Sequence, residues 1–247
     1  MNRRVRNLAL LVTSITLTLS ACSSSRRSDD DVLEELASQD KQTIFNRAED
    51  LYSKEKYAEA RKYFSFVYDT FPNDPLGHKA ALRVADTYAV KKDPTSLTEA
   101  RLRYRDFANR YPNDPDRDYA LLMVGNTYSS KKIRPDRDLE NLHEAYDAYQ
   151  QLVTLYPDSE YAPEAQERIA TLRETLAEHE RLVAQFYFRN KRWQGVLWRL
   201  EYLKENYPDY SNMDDVNSMI ENAESKIAEI EETYKNLLEE RRKSQER

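Results

Sequence analysis

The side chains of this sequence that could do chemistry are few: one thiol, Cys22, three imidazoles, His78, His143 and His179, and a large number of carboxylates. A nucleophile is activated by a base within hydrogen-bond reach, and no Ser, His and Asp set stands out to supply one. The single cysteine forms no internal disulfide. The histidines are far apart and none has a second histidine three or four residues away, so a helical zinc site is not expected. Dinucleotide fingerprints and phosphate-cradling loops need several glycines within a few residues, and Gly77, Gly125 and Gly195 are scattered. Carboxylate pairs such as Glu34/Glu35 and Glu239/Glu240 occur among 44 acidic and 38 basic side chains, where they read as solvated helix faces rather than acid–base dyads. No enzymatic activity, metal or cofactor is expected.

Few glycines, many Glu, Lys, Arg, Ala and Leu, and 18 tyrosines describe a helical protein whose cores are sealed by rings. The first 21 residues stand apart. Arg3, Arg4 and Arg6 precede an apolar run from Leu8 to Leu19, about 12 residues, which is too short for a bilayer that needs roughly 20 and reads as a signal peptide. The run ends in Leu19-Ser20-Ala21-Cys22, which resembles the lipobox of bacterial lipoproteins, where the cysteine receives a lipid before cleavage. Cys22 is thus the expected lipid attachment site. Cleavage would remove three arginines and no acids, taking the formal charge from −6 to −9, a balance that argues against a nucleic-acid partner. Residues 22–38 read as a polar tether. Ser23 follows Cys22 where many lipoproteins kept at the inner membrane have Asp, so the outer membrane, facing the periplasm, is the expected location.

Beyond the tether the chain is repetitive. An aromatic-Pro pair recurs as Phe71-Pro72, Tyr111-Pro112, Tyr156-Pro157 and Tyr207-Pro208. Fourteen residues before each aromatic stand Tyr57, Leu97, Leu142 and Trp193, and eleven before stand Ala60, Ala100, Ala145 and Val196. Seven before come Phe64, Tyr104, Tyr149 and Leu200, and four before, Val67, Phe107, Leu152 and Leu203. Steps of 3 and 4 trace one buried helical face. Farther upstream a small residue precedes a larger one by three: Ala48/Leu51, Ala85/Tyr88, Gly125/Tyr128 and Ala184/Tyr187. This order resembles the tetratricopeptide repeat, a helix-turn-helix unit that stacks into a superhelix. The expected fold is all-α, a tetratricopeptide-like superhelix of about five repeats, with repeats 1 to 3 in residues 39–160. Residues 161–247 would hold a long helix, repeat 4 and a C-terminal capping helix.

Between Pro157 and Ala184 the spacing exceeds that of the other inter-repeat turns by 14 residues, four whole turns at ~3.6 residues per turn. One helix from Pro163 to Asn190 is expected there. From Ser211 a seam of Ile220, Ala223, Ile227, Ile230, Tyr234 and Leu237 recurs every 3 and 4 residues, to pack on the fourth repeat or to receive a partner protein in part. Tyr52, Tyr88 and Tyr128 sit at or beside the large position on the first helix of three successive repeats. They either seal inter-repeat packing or line a groove for an extended, aromatic-ended peptide. Arg199 lies between Val196 and Leu200 in the pattern and can reach the flank of its helix, where an intrahelical pair with Glu201 or Glu205 is the plain alternative.

Lipobox, tether, repeats and Tyr-Pro turns together resemble the BamD family of outer-membrane assembly lipoproteins, the ComL/YfiO-like proteins. Three local stretches support the resemblance: Ala81 to Lys91, Asp136-Arg137-Asp138, and Trp193, Val196, Arg199 and Glu201 with Tyr207-Pro208-Asp209. The acidic run Asp29-Asp30-Asp31 departs from the family's usual Pro-containing linker. The resemblance implies a scaffold subunit of the β-barrel assembly machinery. Its partners would be the barrel insertase BamA, other lipoproteins of the complex and unfolded outer-membrane protein clients, and Arg199 would contact an acid in the last POTRA domain of BamA. The alternative is another periplasmic repeat lipoprotein coordinating envelope or cell-wall machinery.

Overall fold

The computed structural model describes residues 38–129 and 139–246. The signal peptide, Cys22, the tether up to residue 37 and the Asp136-Arg137-Asp138 loop lie outside the described residues. Among those described, nine helices follow one another with no strand between them. Helices α1 (Lys41–Ser53) and α2 (Tyr57–Thr70) form the first hairpin, and α3 (Pro75–Ala89) and α4 (Pro94–Arg110) the second. The third pairs α5 (Arg117–Tyr128) with α6 (Leu139–Leu155), and the fourth α7 (Ala162–Arg189) with α8 (Trp193–Asn206). Helix α9 (Met213–Gln245) follows alone, and each helix packs on the next along the chain.

The helix ends follow from local chemistry. Asp40, Asp74 and Asp93 each accept backbone N–H groups of the turn that follows, and Pro75 and Pro94 occupy the first helical positions, where a missing N–H costs little. Within the described hairpins the tight turns share one device, a left-handed residue just past the first helix: Glu55 at φ 60°, Lys92 at 56° and Lys191 at 56°. The longer inter-repeat turns interlock along the opposite edge. The Tyr111 hydroxyl donates to the Pro72 carbonyl at 3.0 Å, Tyr156 does the same to Pro112 at 3.5 Å, and His78 stacks on Tyr111 with its Nδ1 2.7 Å from Asp114.

The periodic positions form the core as expected. Ala60, Ala100, Ala145 and Val196, the next set Phe64, Tyr104, Tyr149 and Leu200, and the third set Val67, Phe107, Leu152 and Leu203 are each 1% exposed or less. Burying a ring or branched side chain of this size stabilises by about 1.5–3 kcal/mol before entropy is counted. One cluster joins Ile44 and Leu51 to Phe64 and Val84; a second runs from Leu82 to Ala223, and Tyr88 packs against both.

Gly125 shows why the upstream position must be small. A Cβ placed there would lie 2.4 Å from the ring of Tyr149, which is fully buried and held by hydrogen bonds at its hydroxyl to Asn126 and Ser129. The ring has nowhere to retreat. Gly125→Ala should therefore destabilise by about 1–3 kcal/mol even though alanine is the better helix former by about 1 kcal/mol. Thermal melting checks this, and a rise in melting temperature would show that the ring can move.

Helix α7 is the single long helix the spacing implies, 28 residues and about 42 Å. Helix α9 divides in two. Val216 and Ala223 are buried and Met219, Ile220 and Ile227 pack on the core, whereas Ile230, Tyr234 and Leu237 are exposed. The seam caps the fourth repeat over its first half and continues beyond it.

Candidate functional site

The first helices of the hairpins open onto a cavity of about 360 Å³. Helix α1 supplies Phe45 and Glu49, α3 supplies Lys79, Leu82, Arg83 and Asp86, and Tyr119 of α5 closes the far side with Asp116 and Tyr161 from adjoining turns. On α3, Lys79, Leu82, Arg83 and Asp86 are spaced by 3 and 4 and so look toward the same side.

A polar network lies under the cavity. Asp86 is 4% exposed and accepts the hydroxyls of Tyr104 at 2.5 Å and Tyr119 at 2.9 Å, together with Arg83 Nη1 at 3.1 Å. Arg83 also grips Glu49 in a two-point fork, 2.6 Å from Nε and 2.7 Å from Nη2. Burial opposes the Arg83 charge, but hydrogen bonds and attraction from Glu49 and Asp86 outweigh it and hold its pKa above the ordinary arginine value. Burial, reinforced by the Asp86 charge, pushes the Tyr104 and Tyr119 hydroxyls far up, so both remain donors. Four helices, α1, α3, α4 and α5, share this network. At the rim, burial and then the Asp114 charge raise the Asp116 carboxyl, while Lys79 pulls it down. With an exposed ammonium at Lys79, a carboxylate at Asp116 and the rings of Phe45, Tyr119 and Tyr161, the cavity can hold an aromatic side chain and the polar backbone of an extended segment.

The three tyrosines singled out in the sequence do not share one surface. Tyr52 lies beside a lining residue, its ring 5.0 Å from the Arg83 guanidinium and 5.2 Å from Tyr57. Tyr88 lies instead between arginines of the second helices, 3.5 Å from Arg61 of α2 and 5.1 Å from Arg103 of α4. Tyr128 lies 4.2 Å from Arg101 of α4, and its hydroxyl donates to Glu144 of α6 at 3.1 Å. Among the residues lining the cavity, Glu49, Lys79, Arg83, Asp86 and Tyr119 are ones the aligned core pattern passes over.

Arg199 makes neither expected intrahelical pair. It reaches across the hairpin from α8 to Glu180 of α7 at 3.0 Å, because a side chain on the flank of α8 faces the neighbouring helix before it faces its own next turn. Its Nε is buried without a hydrogen-bond partner, and its guanidinium lies 5.1 Å from the ring of Trp198, itself 65% exposed. Cys22 lies outside the described residues. Among those residues no group of His, Cys, Asp and Glu could hold a metal ion.

Four antiparallel hairpins with their first helices around an open groove define a tetratricopeptide-like helical-repeat binding protein. The family model for YfiO, an outer membrane lipoprotein, matches residues 37–237, and the chain belongs to that family. Similar curated proteins include the outer membrane protein assembly factor BamD of Vibrio cholerae, 38% identical over 76 residues that are 31% of this chain and 32% of that protein. BamD of Haemophilus influenzae is 34% identical over 76 residues, 31% of this chain and 29% of that protein, so each of these matches spans about a third of the relative's length. BamD of Neisseria gonorrhoeae is 26% identical over 227 residues, covering 88% of this chain and 84% of that protein.

Proposed function

We propose that this chain is a scaffold subunit of the β-barrel outer-membrane protein assembly complex, helping to fold and insert outer-membrane proteins. In this reading residues 1–21 are removed, Cys22 carries the lipid that holds the protein in the outer membrane, and residues 22–38 tether a periplasmic repeat domain. Repeats 1 to 3 take extended segments of unfolded clients, and residues 161–247 dock a BamA-like insertase and the accessory lipoproteins. The role is one of binding and positioning, without catalysis.

The observation that supports the reading best is the open cavity lined by rings and unlike charges, carried by a stack that the family match covers from α1 into α9. Co-purification tests it: detergent extracts should yield the chain with a large heat-modifiable barrel protein. Recovery without such a protein would favour a repeat lipoprotein of the cell wall or envelope instead.

The cavity itself has a sharper test. An extended peptide ending in an aromatic residue should bind weakly, and Lys79→Glu should reduce its affinity about tenfold at unchanged melting temperature, since Lys79 is exposed and bears on no packing. Tyr88→Ala and Tyr128→Ala should leave binding intact. Loss with the two tyrosine variants and not with Lys79→Glu would move the peptide to the second-helix surface.

A further inference from the structure

The tip of the α7–α8 hairpin combines features that its own local structure does not call for. From Arg181 to Leu200 the chain has five cations, Arg181, Arg189, Lys191, Arg192 and Arg199, and no acid, within a sequence of net charge −6. Arg181 and Arg199 are paired with carboxylates. Arg189 donates to the neutral Gln185, and no carboxylate within salt-bridge distance of Arg189, Lys191 or Arg192 is found among the described residues. Phe186, on the last turn of α7, is 62% exposed, and Trp193, at the start of α8, is half-buried against Phe188 at 5.1 Å.

Lys191 fills the left-handed position, at φ 56°, that Glu55 and Lys92 fill in the other tight turns. Arg192 is the N-cap of α8, where an anion or a short polar acceptor is preferred, and it makes no side-chain cap, while the first turn of α8 has no acid. Helix α7 has 28 residues against 13, 15 and 12 in the first helices of the other hairpins, about 20 Å more helix than theirs.

We propose that this tip is a second membrane contact, binding the anionic headgroups of a lipid surface through Arg189, Lys191 and Arg192 while Phe186 enters the headgroup layer. Aromatic rings beside cations are the composition that settles at a membrane interface, and each cation near an anionic surface adds attraction that salt screens. The occupant is a bilayer because the family is one of outer membrane lipoproteins, which keeps a lipid surface within reach, and because cations without a neighbouring acid complement an anionic surface.

The test uses the chain from residue 22 onward with Cys22→Ser, so that neither signal peptide nor acyl group contributes, in flotation with vesicles of phosphatidylethanolamine and phosphatidylglycerol. Binding should be present, weaken with salt and fall sharply on phosphatidylcholine vesicles. Lys191→Glu/Arg192→Glu should lower the partition about tenfold or more, and Phe186→Ser should lower it too, with melting temperatures unchanged because these side chains are exposed. Arg241→Glu/Arg242→Glu on α9, an equal change in charge, should lower it less than about twofold. Equal loss in both pairs, retention by the tip variant, or equal binding to phosphatidylcholine would overturn the proposal. So would a tip variant that floats normally but loses a protein partner, which would make the tip a protein-docking site. The flotation outcomes do not bear on co-purification of the unaltered chain with a barrel insertase, so the two readings fail separately.

Discussion

Asp86→Ala is expected to lower the melting temperature by about 10 °C. The carboxylate is buried and receives the hydroxyls of Tyr104, fully buried, and Tyr119, together with one arm of Arg83. Without it two tyrosine hydroxyls lose their acceptor away from water, at about 1–3 kcal/mol each, while Arg83 keeps its fork on Glu49. In a chain of this length each kcal/mol corresponds to about 2–4 °C. Asp86→Asn retains an acceptor oxygen and should cost less. The double change Asp86→Ala/Tyr104→Phe should recover part of the loss, because no Tyr104 hydroxyl is then left without an acceptor, while that of Tyr119 still is. A melting temperature within a degree or two of the parent for Asp86→Ala would show that water replaces the carboxylate and that the network does not tie the repeats together.

Arg199→Glu should abolish co-purification with the barrel insertase if Arg199 belongs to the docking surface proposed above. Its guanidinium lies beside the exposed ring of Trp198, and a charged group that is partly desolvated next to an aromatic is the composition of an interface hot spot. The Glu180 contact alters how the variant must be judged. Glu180 is 12% exposed on its side chain, and a second carboxylate at position 199 would face it, so charge reversal also loosens the α7–α8 hairpin. Arg199→Gln removes the charge without adding a like one. It should weaken the complex by tenfold or more at nearly unchanged melting temperature, and Glu180→Gln should leave the complex in place. If Glu180→Gln disrupts co-purification as strongly as Arg199→Gln, the pair acts by holding the hairpin and Arg199 is no contact. An acid-to-base change in the facing residue of the partner should restore the complex with Arg199→Glu only if the contact is direct.

What could be read in the sequence was the packed side of each helix. Steps of 3 and 4 identify Ala60, Phe64 and Val67 and their counterparts because burial selects residue type at those places, and an excess of four whole turns implies α7 because a helix keeps its buried face only across whole turns. The cavity was hidden because Glu49, Arg83 and Asp86 are of types that also decorate solvated faces, and their purpose appears only when α1, α3 and α5 lie side by side. The Arg199–Glu180 pair joins residues 19 apart on two helices, which counting within one helix cannot find. Tyr88 and Tyr128 had the spacing of packed positions, and residue type gives no sign that arginines of α2 and α4 will lie against them. The seam of α9 continues past the packed portion, and its period alone does not say where the support of α8 ends.

Helix α7 has a mechanical consequence. Its beginning packs on α6, and residues 173–187 lie along α8, where Arg173 meets Asp209, Glu180 meets Arg199 and Tyr187 lies against Gly195. The same unbroken backbone therefore belongs to both the third and the fourth units, with no loop between its two halves to serve as a hinge. A continuous helix of about 42 Å bends gently and kinks only at identifiable defects, and beyond Pro163 in its first turn α7 contains no proline and no glycine. It acts as a girder that keeps a constant stand-off between the groove near Tyr161 and the outer flank of α8. Whatever is held at one end is presented at a set distance and angle to whatever is held at the other, and a push on either is transmitted as tilt of the whole beam.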